Sequence, residues 1–94
     1  MKDKAQSPLD SLIDRIEQMG PGQQLMYTLA AMYGPEIIIV EVKKDYAGKG
    51  PKYAVIASPP VNGKPGPTRN TIWETGKAKA VAKWLLGRDA KPLA

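Results

Sequence analysis

The sequence predicts an α+β fold: two N-terminal helices, an antiparallel β-hairpin or three-stranded sheet, and a C-terminal helix packed on one face. Three observations carry that expectation. Ile37, Ile38, Ile39 and Val40 form an unbroken β-branched run, the side-chain type that packs best on a pleated surface. Tyr53, Val55 and Ala57 alternate with Ala54, Ile56 and Ser58, the period of two of a strand. Leu9, Leu12, Ile13, Ile16 and Met19, and later Ala78, Val81, Ala82 and Leu85, recur instead at helical spacing.

Taken in order, Met1 to Gln6 is polar and expected to fray. Ser7-Pro8-Leu9-Asp10 is a helix start, with a capping hydroxyl, a proline suited to the first turn and an acid at the positive helix end. Gly20-Pro21 stops that helix. A second helix is expected from about Gln23 to Tyr33, with Leu25, Met26, Leu29, Met32 and Tyr33 on its buried side and Gly34-Pro35 as its stop. The hairpin from Glu36 to Ser58 follows, turning through Gly48, Gly50 and Pro51. Pro59 to Thr68 reads as a long loop, expected to be mobile. Thr71, Trp73 and Thr75 alternate with Asn70, Ile72 and Glu74 as in a third strand. Thr71-Ile72-Trp73-Glu74 also fits a capping box that would start the last helix early. The strand is preferred because it keeps Gly76 out of a helix interior. The last helix is expected from about Lys77 to Leu86, with Gly87 as its stop. The whole is expected to be one domain, 1–94, frayed at about 1–6 and 88–94.

Composition narrows the function classes. There is no cysteine and no histidine. No thiolate metal site and no Ser-His or Cys-His arrangement is therefore available. The expectation is a non-enzymatic protein with no cofactor. No apolar stretch approaches a membrane span, and no apolar core follows the N-terminal lysines, so a cytoplasmic protein away from the membrane is expected.

Charge is uneven. Up to Glu36 there are three basic and five acidic residues; from Ile37 onward there are eleven and four, which together give the net +5. Such asymmetry is a pattern of nucleic-acid contact as well as of a plain solvated surface. Lys43, Lys44, Lys49 and Lys52 surround one hairpin end with Tyr46, and Lys79 and Lys83 lie one turn apart on the last helix. These seven residues form the candidate site for DNA or RNA, gripping backbone phosphate with low sequence preference, since lysine acts as a mobile point charge. The alternative is a protein-interaction or regulatory domain acting as a homodimer. Trp84, outside the last helix's apolar stripe, is its candidate interface residue.

A third reading concerns Glu41-Val42-Lys43 at the end of an apolar strand. Acid-x-Lys in that position resembles the catalytic half-motif of restriction-endonuclease-like nucleases. The resemblance implies metal-dependent hydrolysis, with Glu41 holding the ion and Lys43 activating water. It also requires a further acid on a preceding strand, and the sequence reading places a helix there. In element order alone, the C-terminal half is similar to the arm-type DNA-binding domains of tyrosine recombinases.

Overall fold

The computed structural model describes residues 7–43, 50 and 52–93. Helix α1 (Pro8–Glu17) opens as its sequence predicts, with Ser7 Oγ accepting from the Asp10 N–H at 3.1 Å and Pro8 in the first turn. Its Ile16 is fully buried, with Leu9, Leu12, Ile13 and Met19 packed around the same core.

The largest correction comes next. Residues expected to form a second N-terminal helix form strand β1 (Gln24–Ala31) instead, so only one helix precedes the sheet. β1 pairs antiparallel with β2 (Gly34–Lys43), from Gln24 opposite Glu41 to Ala31 opposite Gly34. The physical reason lies in β2. Its Ile37 to Val40 run is buried on both faces, which makes it a central strand whose backbone groups need partners on both sides. Leu25, Tyr27 and Leu29 fit a period of two as well as they fit a helix, and β1 supplies that partner. Gly34, at φ +119, takes the left-handed conformation that closes the turn, so Met32 and Tyr33 need not.

On the other side of β2 lies β3 (Lys52–Ser58), the expected hairpin partner, with Ile38 opposite Ala57 and Val42 opposite Tyr53. The proline-rich stretch then folds into a two-stranded hairpin, β4 (Pro60–Val61) with β5 (Lys64–Pro65). Its turn is Asn62-Gly63, both at positive φ, the pairing a tight hairpin favours. The buried Ser58 hydroxyl and the Arg69 side chain both donate to the Gly66 carbonyl at 3.3 Å, tying the hairpin back to the sheet.

Strand β6 (Asn70–Thr75) pairs with β3, as the alternation predicted. Thr75 Oγ1 accepts from the Lys77 N–H at 3.2 Å and leads into helix α2 (Ala78–Gly87). Residues 88–93, read from the sequence as a frayed tail, carry a turn at Asp89 (φ 55) and strand β7 (Lys91–Pro92), which pairs with β1. The main sheet is thus five-stranded, order β6-β3-β2-β1-β7, larger than the two or three strands expected.

Both helices lie against one face of this sheet. Ile16, Tyr27, Ile38, Val40, Val42, Tyr53, Val55, Val81, Ala82 and Leu85 share the core between them. At about 1.5–3 kcal/mol for each large apolar side chain removed from water, this layer is the main source of stability. Ile37, Ile39, Ala54 and Ile56 form a smaller cluster on the opposite face, with Met26 and Leu93 against it. No helix among the described residues is long and apolar enough to cross a membrane.

Candidate functional site

Two ends of the sheet carry the residues of interest. At the β2–β3 end, Val42 and Tyr53 face the helix-side core, so their neighbours Lys43 and Lys52 project from the opposite face. There they meet Glu74 of β6. Lys43 Nζ lies 2.6 Å from Glu74 Oε2, and Lys52 Nζ lies 3.9 Å from Oε1. The hydrogen bond from Lys43, together with its charge, holds the Glu74 carboxyl below its ordinary range. The same contact pushes the Lys43 ammonium up. Two of the lysines assigned to nucleic acid are therefore partly neutralised by the protein itself.

Glu41 sits on this same face. Its carboxylate accepts from Gln24 Nε2 at 2.7 Å across the β1–β2 pair. The strand the nuclease-like half-motif requires before it does exist, as β1, yet its sequence QLMYTLAA holds no acid. No group of three or more acidic side chains among the described residues is placed to hold a metal ion. Glu41 and Lys43 here have a glutamine and a second glutamate as their partners.

Lys79 and Lys83 are exposed on α2, behind the sheet from Lys43 and Lys52. The helix lies on the opposite layer, so these four lysines do not share one surface. Lys44, Tyr46 and Lys49 lie outside the described residues.

The opposite end of the sheet is built differently. Met32 and Tyr33 form the two-residue β1–β2 turn and are 88% and 97% exposed. Beside them opens a cleft of about 460 Å³ whose walls include Leu29, Ile38, Ile72 and Trp84, with Glu36 and Arg88 as its charged groups. Trp84 is half-buried. It meets Trp73 at 6.3 Å between ring centroids, tilted by 53°, in the range of a favourable aromatic pair. The Arg88 guanidinium lies 4.3 Å from the Trp84 ring centroid, a cation–π contact.

Ile72 reaches this cleft because of a register shift. Val55 pairs with Trp73 and the next β3 residue, Ile56, with Thr71, leaving Ile72 as the extra residue of a β-bulge. Bulges re-aim side chains at a sheet edge, and here the bulge leaves Ile72 48% exposed in the cleft wall.

Of this group only Trp84 was singled out from the sequence as an interface residue. Met32 and Tyr33 were assigned to the buried side of a helix that does not form. The Ala31-Met32-Tyr33-Gly34 spacing, two residues between two pairable strands, is the signal that identifies them as a turn. Comparison with protein-family models, with curated proteins and with solved structures finds no match for this chain.

Proposed function

We propose that this domain is a protein-interaction module that pairs with a second copy of itself through the Met32–Tyr33 end. The observation that carries the reading is the exposure of Met32 and Tyr33 beside a cleft containing Trp84, Ile72 and Arg88. Aromatic residues, methionine and arginine are the types enriched where proteins bind proteins. A second copy is favoured because one end supplies both halves of the contact. It has a protruding apolar pair and a concave apolar wall, and it carries Glu36 and Arg88, of opposite sign. A two-fold axis sets each of these against its complement.

Sedimentation velocity across micromolar to millimolar protein tests this. Wild type is expected to dimerise as concentration rises. Met32→Asp is expected to remain monomeric with an unchanged melting temperature, since the side chain is exposed. A wild-type protein that stays monomeric throughout overturns the proposal, and so does a Met32→Asp protein that dimerises as well as wild type.

One observation supports a second reading. Helix α2 holds Lys79 and Lys83 exposed and no acidic residue, and neither lysine makes an ion pair among the described residues. As a phosphate-contacting surface, this helix would give nucleic-acid affinity that falls steeply with salt. Fluorescence anisotropy with short DNA and RNA strands, with Lys79→Ala and Lys83→Ala alongside, measures it. Affinity insensitive to both substitutions removes this reading.

A further inference from the structure

A second cleft, separate from the one at the Met32–Tyr33 end, lies between α1, the C-terminal end of α2 and β1. It has a volume of about 400 Å³, and its walls include Leu12, Leu85, Leu86 and Pro92. Its polar lining includes Arg15 and Tyr27. Arg15, in the last turn of α1, and Tyr27 on β1 share one wall of it. Among the described residues no acidic side chain lines the cleft. The character is therefore apolar with a single positive charge at one wall.

The polar groups at that wall are hydrogen-bond donors. A guanidinium has five N–H donors and no acceptor, so in the Arg15–Tyr27 contact the phenol oxygen must accept. The Tyr27 O–H can donate in turn. Burial pushes the Tyr27 phenol up, with Arg15 pulling in the opposite direction, so the group stays protonated at neutral pH. A guanidinium in one such contact has further N–H groups to offer. Two donors, one of them cationic, thus stand at the edge of an apolar cleft whose described lining holds no acidic side chain. A planar carboxylate is the acceptor that suits an arginine fork, and an apolar body suits the leucine walls.

We propose that this cleft binds an amphiphilic monocarboxylate, its headgroup on Arg15 and Tyr27 and its hydrocarbon chain along Leu12, Leu85 and Leu86. The site does not depend on self-association, because its lining shares no residue with the Met32–Tyr33 cleft.

Octanoate is the probe, with octanol as its uncharged match and acetate as its tail-less match. Titration is followed by amide chemical shifts in ¹⁵N-labelled protein. Octanoate is expected to move the resonances of Leu12, Arg15, Tyr27 and Leu85 with a dissociation constant in the millimolar range, the affinity a ligand of that size commonly reaches. Octanol is expected to bind about tenfold more weakly, the equivalent of one charge-assisted hydrogen bond of roughly 1.4 kcal/mol, and acetate not measurably. Arg15→Gln should reduce octanoate affinity to that of octanol, while Arg15→Lys, which keeps the charge, should lose less. Arg15 is exposed, so neither change should unfold the protein. Equal binding of octanoate and octanol overturns the proposal. So do shifts that map to other residues, or octanoate affinity that Arg15→Gln leaves unchanged.

Discussion

The two ends of the sheet handle their exposed residues in opposite ways. At the β2–β3 end, the charged side chains among the described residues are matched within the chain: Lys43 and Lys52 to Glu74, and Glu41 to Gln24. At the β1–β2 end, Met32 and Tyr33 stand almost fully in water, and Ile72 is half-exposed in the neighbouring cleft. A set of internally matched charges has little left to offer a ligand. Large apolar groups held in water around a concave wall lose that unfavourable exposure only when something covers them. The difference favours the aromatic end over Lys43 and Lys52 as a contact surface.

Of substitutions at the two ends, the largest expected effect is at Trp84. Trp84→Ala removes the contact with Trp73 and the platform under Arg88. Full truncation of a buried tryptophan costs about 3–5 kcal/mol, so this half-buried one should cost about 2–3 kcal/mol in urea unfolding. It should weaken self-association as well. A loss below about 0.5 kcal/mol, the scale of an ordinary surface change, would mean that the ring is not part of the fold at this end.

Gly66 comes next. A Cβ there would meet the Pro59 carbonyl oxygen and Val61 Cγ2, both at 2.8 Å. Gly66→Ala must therefore shift the β4–β5 hairpin or strain it, and overpacking of this kind costs about 1–3 kcal/mol. Calorimetry should show a lower melting temperature. Gly63→Ala provides the contrast: it meets no atom but has φ +78, so its strain is in the backbone alone.

A sharper test of the cleft is Ile72→Ser. Because Ile72 is 48% exposed and is the extra residue of the bulge, unfolding free energy should change little. Self-association should nonetheless weaken several-fold. Equal association by wild type and Ile72→Ser would move the contact away from the cleft wall.

The smallest effect is expected at the charged end. Glu74 has its carboxyl lowered in the folded state by Lys43, so its contribution is present above the unfolded carboxylate range, about 4.3, and is lost as pH falls through the lower folded value. Lys43 is raised by the same contact. Its share is present below the ordinary lysine range, about 10.4, and is lost as pH rises through the higher folded value. Both groups are solvent-exposed, so the pair should be weak and screened by salt. Glu74→Gln should flatten the acid limb of the stability profile slightly at low ionic strength and leave it unchanged at high ionic strength. A large effect that persists in salt would show that the charged end is a stabilising network.

Local chemistry by itself determined a good part of this protein. Ser7 and Pro8 start α1, the Ile37–Val40 run and the Tyr53–Ala57 alternation make a hairpin, and Thr71-Ile72-Trp73 reads as a strand before α2. Each depends on neighbours a few residues away, which a sequence displays directly. Tertiary structure decided the rest. Leu25 to Tyr33 satisfies two periodicities, and only the need of a doubly buried β2 for a second partner selects the strand. That choice turns Met32 and Tyr33 from core into an exposed tip. Ile72 enters the cleft only because β6 bulges against β3, and Lys43 is neutralised only because Glu74 lies two strands away. Charge along a chain is additive, but charge on a surface depends on which residues the sheet brings side by side, and that is set by long-range pairing.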